Sequence, residues 1–270
     1  MKEAPMTTEP LKIDPLDSLV AVAWGLLKTG KTTLGLSWPT PMVHFDFDLG
    51  LHRAEPMFVQ AGFKILKVPS DVPLEGNIDP SYHIISKQFP MPVKWGPTLQ
   101  GYMNLWNLLL MDFKAAYEHP QVRSLIGDTG GSMWAIRTRA QLEKAQMSNP
   151  TRTRLQQIEY GEPNTDMAAV LGACRAYKKN LLMLHHVGGL YEPKLTSHGV
   201  EEVRIGDTYD GWSKSGNLVD VVMKTYKENG STGIEFIDCG LTLAAEGTKL
   251  NPATFTSILD DLNRLRGVIA

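Results

Sequence analysis

Apolar and polar positions follow two rhythms along the chain, and Gly, Pro and Asp mark the boundaries between them. The continuous apolar run Leu19–Trp24 reads as a buried strand. After a glycine-bearing turn, Thr32–Leu36 is the apolar start of a helix. Met42–Phe47 is a second strand, with Asp46 and Asp48 at its end. A Pro-rich, irregular stretch over 62–97 contains two short apolar pieces, Phe63–Val68 and Tyr82–Ile85, suited to strands in an insertion or at a sheet edge. Thr98–Glu118 predicts a long helix, because Leu99, Tyr102, Met103, Trp106, Leu109, Leu110 and Phe113 fall at helical spacing.

Val122–Gly127 returns to the buried-strand pattern and is closed by Asp128 and Thr129. Ala135–Gln146 fits a solvated helix, and Asp166–Lys179 predicts another, with Met167, Val170, Leu171, Cys174 and Tyr177 on one side. Leu181–Leu184 is a further strand, ending in His185 and His186. Gly188–Gly216 is long, polar and Gly-rich, and is expected as a loop. Leu218–Lys227 and Gly233–Leu243, joined through an Asn-Gly pair, predict a hairpin. Pro252 opens a last helix, Ala253–Arg266.

Strands alternating with helices predict an α/β fold, a doubly wound and mainly parallel sheet with a C-terminal β-hairpin. Neither an internal repeat nor a second core signal is present, so 19–270 is expected as one domain with an irregular insertion at about 62–97. The preceding residues, 1–18, carry Pro5, Pro10 and Pro15 among charges and are expected as a flexible tail. Composition narrows the function classes. The 270 residues carry a formal net charge of -2, so no global basic field exists and any nucleic-acid binding must come from local patches. The 2 cysteines, Cys174 and Cys239, have no metal-site spacing and read as buried thiols in a reducing, cytoplasmic compartment. No apolar run reaches membrane-spanning length, so no membrane partner is expected.

The strand-to-helix turn carries the chemistry. Gly25-Leu26-Leu27-Lys28-Thr29-Gly30-Lys31-Thr32-Thr33 matches the G-x-x-x-x-G-K-[ST] phosphate-binding loop. Gly25 and Gly30 let the backbone N–H groups close on phosphate oxygens, and Lys31 reaches the β- and γ-phosphates. The Thr32 hydroxyl is a Mg²⁺ ligand, and Asp128, at the end of a later strand, is the carboxylate expected to hold the water shell of that ion. ATP and Mg²⁺ are the expected ligands. Asp48 is a general base for water attack or an ordinary strand-end cap; Asp46 supports it or caps the turn. His186 is a γ-phosphate sensor or a satisfied polar residue, and a metal site there lacks a third ligand. The basic run Arg137, Arg139, Lys144, Arg152 and Arg154, against Glu143 alone between Ala135 and Arg154, is a mobile nucleic-acid-gripping loop or a solvated helix face. Lys214, in Trp-Ser-Lys-Ser-Gly, is a candidate cation supplied to a neighbouring subunit.

Taken in order, GLLKTGKTT, VHFDFDLG, SLIGDTGGSMW, QQIEYGEPN and LLMLHHVGG span about 19–190. With these pieces the chain resembles the RecA-like recombinase-core ATPases, and more closely the short phage-type core-only proteins associated with single-strand DNA annealing. The resemblance implies a RecA-like P-loop core of the ASCE type. It implies that Lys31 and Thr32 bind phosphate and Mg²⁺, that Asp128 is the acidic Mg²⁺ residue, and that His186 stands where RecA has a glutamine sensor. Asp48 falls where the family places a longer glutamate base. The family's DNA-binding loops would fall at about Met133–Arg154 and Gly188–Gly216. Only a short tail stands where the family carries an oligomerisation domain, and a ring or filament of copies is the assembly the family suggests. The reading is then a Mg²⁺-dependent ATPase acting on single-stranded DNA in annealing, recombination or repair, in the cytoplasm of a bacterium or a phage-infected host. The alternative is an ATP-gated assembly module with little turnover and no DNA contact; a small-molecule phosphotransferase would need an Arg-rich lid that the sequence does not display.

Overall fold

β1 (Val20–Gly25) consists entirely of buried residues, which places it inside a sheet covered on both faces. In the computed structural model, which describes residues 18–94, 96, 98–196 and 199–268, β1 lies parallel between β6 (Asn180–Thr196) and β8 (Val221–Glu228). The tail expected over 1–18 lies, apart from Ser18, outside the described residues, as does His198 of the expected 188–216 loop. The remaining strands are β2 (Met42–Asp46), β3 (Ile65–Val68), β4 (Ile84–Gln88), β5 (Ser124–Asp128), β7 (Gly199–Tyr209), β9 (Ser231–Cys239) and β10 (Lys249–Leu250). Their order in the 10-stranded sheet is β10-β9-β8-β1-β6-β5-β2-β4-β3, with β7 paired to β6 alone. Every neighbouring pair from β8 across to β3 is parallel, whereas β9 and β10 close one end antiparallel. The sheet is therefore mixed and mainly parallel, as the alternation of elements predicts.

Alternate side chains of the central strands point to opposite faces. Val20, Val22 and Trp24 join the core under α3 (Tyr102–Glu118), α4 (Gly130–Ser148) and α5 (Gly161–Ala176), with Phe113, Ile136 and Leu171. Leu19, Ala21 and Ala23 join the core under α1 (Lys31–Leu36), α2 (Leu51–Gln60) and α6 (Phe255–Leu265), with Leu34, Phe58 and Ile258. Within the first layer the Phe45 and Phe113 rings stack with centroids 3.9 Å apart. Both cysteines are buried free thiols, and burial pushes the Cys174 thiol up to about 12. Among the described residues no helix is long and apolar enough to cross a membrane.

Several elements depart from the expected bounds, each for a physical reason. α3 begins at Tyr102, after Gly101 in the left-handed region (φ 84°), and its first turn is capped from a distance. Glu143 of α4 accepts from the N–H groups of Gly101 (2.9 Å) and Met103 (2.8 Å). α2 has no counterpart among the expected elements. Its N-cap is Gly50 with no side-chain cap, it contains Pro56, and its starting N–H groups are satisfied by Asp46, outside the helix. The pieces expected near Phe63–Val68 and Tyr82–Ile85 form β3 and β4, which extend the parallel sheet to its edge. The largest difference is at Gly188–Gly216. β6 continues past His186 to Thr196 and pairs antiparallel with β7, so a two-stranded ribbon replaces the expected loop. Leu190, Tyr191, Leu195 and Ile205 on it are exposed, and a ribbon with two solvated faces has no apolar alternation to read. The expected hairpin is β8–β9, turned by Asn229 (φ 49°) and Gly230 (φ 84°), the paired left-handed conformations of a two-residue hairpin turn.

Candidate functional site

Parallel strands present their carboxyl ends along one edge, and the pairing register brings the sequence-predicted residues there. Gly25 of β1 is level with His186 of β6, and Asp46 of β2 is level with Asp128 of β5. The segment Gly25–Thr33 runs from the end of β1 into the first turn of α1. Gly30 is the N-cap of α1 at φ 90°, and a Cβ on it would lie 1.8 Å from the Thr232 hydroxyl of β9. A Cβ on Gly25 would lie 2.2 Å from the Thr225 hydroxyl of β8. Both glycines are thus required by the strands packed against the loop, and Gly30 also by its left-handed backbone. Lys28 is also left-handed, and Leu26 and Leu27 are exposed.

Lys31 is buried and folds back on its own loop, donating from Nζ to the carbonyls of Gly25 (2.9 Å) and Leu26 (2.8 Å). Burial lowers the pKa of its ammonium group, and Asp128, Asp210 and Asp48 oppose that shift. The Thr32 hydroxyl donates to Asp128 Oδ2 at 2.6 Å. The buried His44 of β2 also approaches that carboxylate, with Nε2 3.6 Å from the same oxygen and Nδ1 3.1 Å from the Ser86 hydroxyl. Among the described residues no group of three or more His, Cys, Asp or Glu is placed to hold a metal. The Thr32–Asp128 pair supplies hard oxygen donors only, which suits a Mg²⁺ ion whose other ligands are water and phosphate oxygens.

Asp48 accepts from the Ser132 hydroxyl (2.9 Å) and pairs with His186 Nε2 (2.7 Å). The bond from His186 is the main reason the Asp48 carboxyl sits below its ordinary range, and the same bond holds the His186 imidazole above its own. Asp46 is fully buried and accepts from the N–H groups of Gly50 (2.8 Å) and Leu51 (3.3 Å). Its two oxygens are turned to the start of α2, the cap alternative for this residue. Asp210, just beyond β7, accepts from the His186 N–H (3.0 Å) and its carbonyl oxygen lies 2.7 Å from His185 Nδ1.

Lys31, Thr32, Asp48, Asp128 and His186 line one cleft of about 270 Å³, together with Lys28, Arg53 and Lys227. Arg53, Lys227, Ser132 and Asp210 are absent from the sequence-derived set. Ser132 alone had a local signal, as the polar residue in the first helical turn after Asp128–Thr129. Arg53 lies in the unforeseen α2, Lys227 in a hairpin with no chemical motif, and Asp210 in the stretch expected as a loop.

The basic run is arranged differently from a free loop. α4 carries Arg137, Arg139 and Lys144 in regular helix. Arg137 is only 3% exposed; its Nε donates to Asp166 (2.5 Å) and its Nη2 lies 3.3 Å from Glu162. Lys144 pairs with Glu162 (3.2 Å) and Arg152 with Glu159 (2.5 Å). Arg139 donates to the Tyr102 hydroxyl (3.0 Å), and its guanidinium lies over that ring. Arg154 is exposed. The partner acids, Glu159, Glu162 and Asp166, follow the basic window in sequence, which is why a count within the window finds excess positive charge. Lys214 is exposed beyond Trp212 and is not among the residues lining the cleft.

No protein-family model and no curated protein matches the chain. Among solved structures the chain is similar to the crystal structure of the RadB recombinase, with 11% identity over 86% of each chain and a TM-score of 0.45.

Proposed function

We propose that the protein is a Mg²⁺-dependent ATPase of the RecA-like type, whose nucleotide state governs its action on single-stranded DNA. The observation that carries the nucleotide part is the meeting of Lys31, Thr32, Asp48, Asp128 and His186 around one cleft at the carboxyl edge of parallel strands. In this reading the backbone of Gly25–Thr33 cradles the phosphates, and Lys31 exchanges its two loop carbonyls for β- and γ-phosphate oxygens. Thr32 and Asp128 would hold Mg²⁺, which would supply neutralisation of the triphosphate's negative charge.

Asp48 orients a water for in-line attack. A bond forms from the water oxygen to the γ-phosphorus, and the bond to the bridging oxygen breaks, leaving that oxygen on the nucleoside diphosphate. The water's proton passes to Asp48 Oδ2. A carboxylate held by both His186 and Ser132 is a weak base, so His186 must leave it before Asp48 takes up a proton. Turning Nε2 from Asp48 to a γ-phosphate oxygen does this, and it links nucleotide occupancy to β6, which continues directly into the exposed ribbon.

The test is ATP hydrolysis by the purified protein titrated with single-stranded, duplex and no DNA, with Lys31→Ala as control. Turnover raised by single strands, and single-strand binding that weakens with salt and depends on ATP, support the whole reading. Turnover indifferent to DNA leaves the second reading, an ATP-gated interaction module. The ion pairs of Arg137, Lys144 and Arg152 favour that module, since paired cations release fewer counterions from a phosphate backbone. Replacing Arg152 and Arg154 by Ala separates the two: the DNA reading requires weaker single-strand binding with ATP affinity intact.

A further inference from the structure

Two cations outside the phosphate loop line the cleft, Arg53 from α2 and Lys227 from β8, and Arg53 has the more defined setting. α2 is fixed at its start. Asp46, itself fully buried, accepts from the N–H groups of Gly50 and Leu51, while Leu51, Ala54 and Phe58 pin the inner face of the helix. Arg53 stands in the first turn of this anchored helix and is carried over the cleft. A Cβ built on Gly50 would lie 3.4 Å from Arg53 Nη2 and 3.7 Å from the Thr32 hydroxyl, so the guanidinium and that hydroxyl flank the same point. Among the described residues no hydrogen bond or ion pair engages the Arg53 guanidinium, although Asp48 and Asp128 line the same cleft. Its positive field also reaches Lys31.

Asp48 and Asp128 add negative charge beside a polyanionic substrate, and Arg53 joins Lys28, Lys31 and Lys227 as the cations lining the cleft against it. An unpaired guanidinium, always charged and able to donate two parallel hydrogen bonds, fits phosphate oxygens.

We propose that Arg53 is a catalytic residue of the ATPase, supplied by the same chain, which donates to the γ-phosphate oxygens as negative charge builds on them. This rests on the nucleotide reading above. It replaces the cation expected across subunits at Lys214 with one built into the cleft itself.

The test compares wild type, Arg53→Ala, Arg53→Lys and Lys31→Ala. Arg53→Ala should lower single-turnover hydrolysis by about 100-fold or more, a size typical for loss of one preorganised donor, while ADP affinity stays within about threefold. A readout independent of turnover is the gain in affinity when aluminium fluoride is added to Mg·ADP, a mimic of the transferring phosphoryl group. Wild type should show the gain, Arg53→Ala should lose it, and Arg53→Lys should keep part of it. Mixing Arg53→Ala with Lys31→Ala should restore nothing, because both groups act on the same bound nucleotide.

Recovery on mixing would place the cation in trans and overturn the proposal. So would an unchanged rate and unchanged fluoride gain in Arg53→Ala, or a loss of ADP affinity that accounts for the whole defect. These outcomes differ from failure of the nucleotide reading itself, in which wild type and Lys31→Ala both fail to bind ADP or ATP. Arg53 is exposed, so its variants should fold, and matching thermal transitions verify that they do.

Discussion

Lys31 and Lys87 are both buried lysines near the carboxyl edge of the sheet, and they are used in opposite ways. Lys87, in β4, donates to the carbonyls of Pro69, Ser70 and Val72 and lies 3.6 Å from Asp112. Asp112 in turn accepts from the Leu74 N–H at 2.7 Å. Every donor of this ammonium is spent on the chain, and the pair ties the 69–74 segment to α3. Burial lowers the pKa of Lys87 and raises that of Asp112, the cost of holding both charges inside. Lys31 has two carbonyl partners from its own loop, a cleft beside it, and carboxylates close enough to act on its charge without touching it. A buried charge whose bonding capacity is consumed by the fold is structural. One held by exchangeable local contacts at an open cleft is free to take a ligand.

The comparison is broken most directly by removing the partners. Asp112→Ala leaves the Lys87 charge buried and short of its counter-ion, and should cost about 3–5 kcal/mol in a urea unfolding experiment. Nucleotide affinity of the folded fraction should be unaffected. Lys31→Ala should do the reverse, with stability changed by less than about 1 kcal/mol and ATP affinity reduced at least about tenfold. If the two substitutions gave the same pattern, the distinction between the lysines would not hold.

Gly30→Ala sharpens the contrast from the loop side. The left-handed backbone and the contact with Thr232 should together cost about 1–3 kcal/mol, and phosphate binding should fall with the distorted loop. A variant equally stable and equally able to bind nucleotide would show that the loop tolerates a side chain there.

The smallest effect belongs to the Asp48–His186 pair, which is partly exposed. The raised pKa of His186 contributes stability that is complete below the unfolded imidazole value and is lost as pH rises through the folded one. The lowered pKa of Asp48 contributes stability present above its unfolded value and lost as pH falls through the folded one. Wild type should therefore exceed Asp48→Asn most between about pH 4.5 and 6.5, by no more than about 1 kcal/mol, with the gap closing on the alkaline side. A gap that widens with rising pH would contradict the pairing.

What could be read in advance follows the range of the forces involved. The strands around β1, the phosphate-loop motif and the strand-end acids announce themselves locally, through unbroken apolar runs and fixed spacing, and the sheet register then brings them together. α2 did not, because the group that caps it is Asp46, in the preceding strand rather than in the helix. The ribbon of β6 and β7 did not, because both its faces meet solvent and its backbone bonds are its own. The ion pairs of the basic run are likewise hidden from a local count, because Arg137, Lys144 and Arg152 find their acids, Asp166, Glu162 and Glu159, further along the chain. Arg53, Ser132 and Asp210 join the site only through tertiary placement.

The central claim is that the cleft binds a nucleoside triphosphate through Lys31. It is tested most directly by calorimetric titration of Mg·ATP into wild type and Lys31→Ala at equal concentration. The account predicts saturable binding of a single nucleotide per chain in wild type and at least about tenfold weaker binding in Lys31→Ala. Equal affinities in the two proteins, or no binding by wild type, would contradict it.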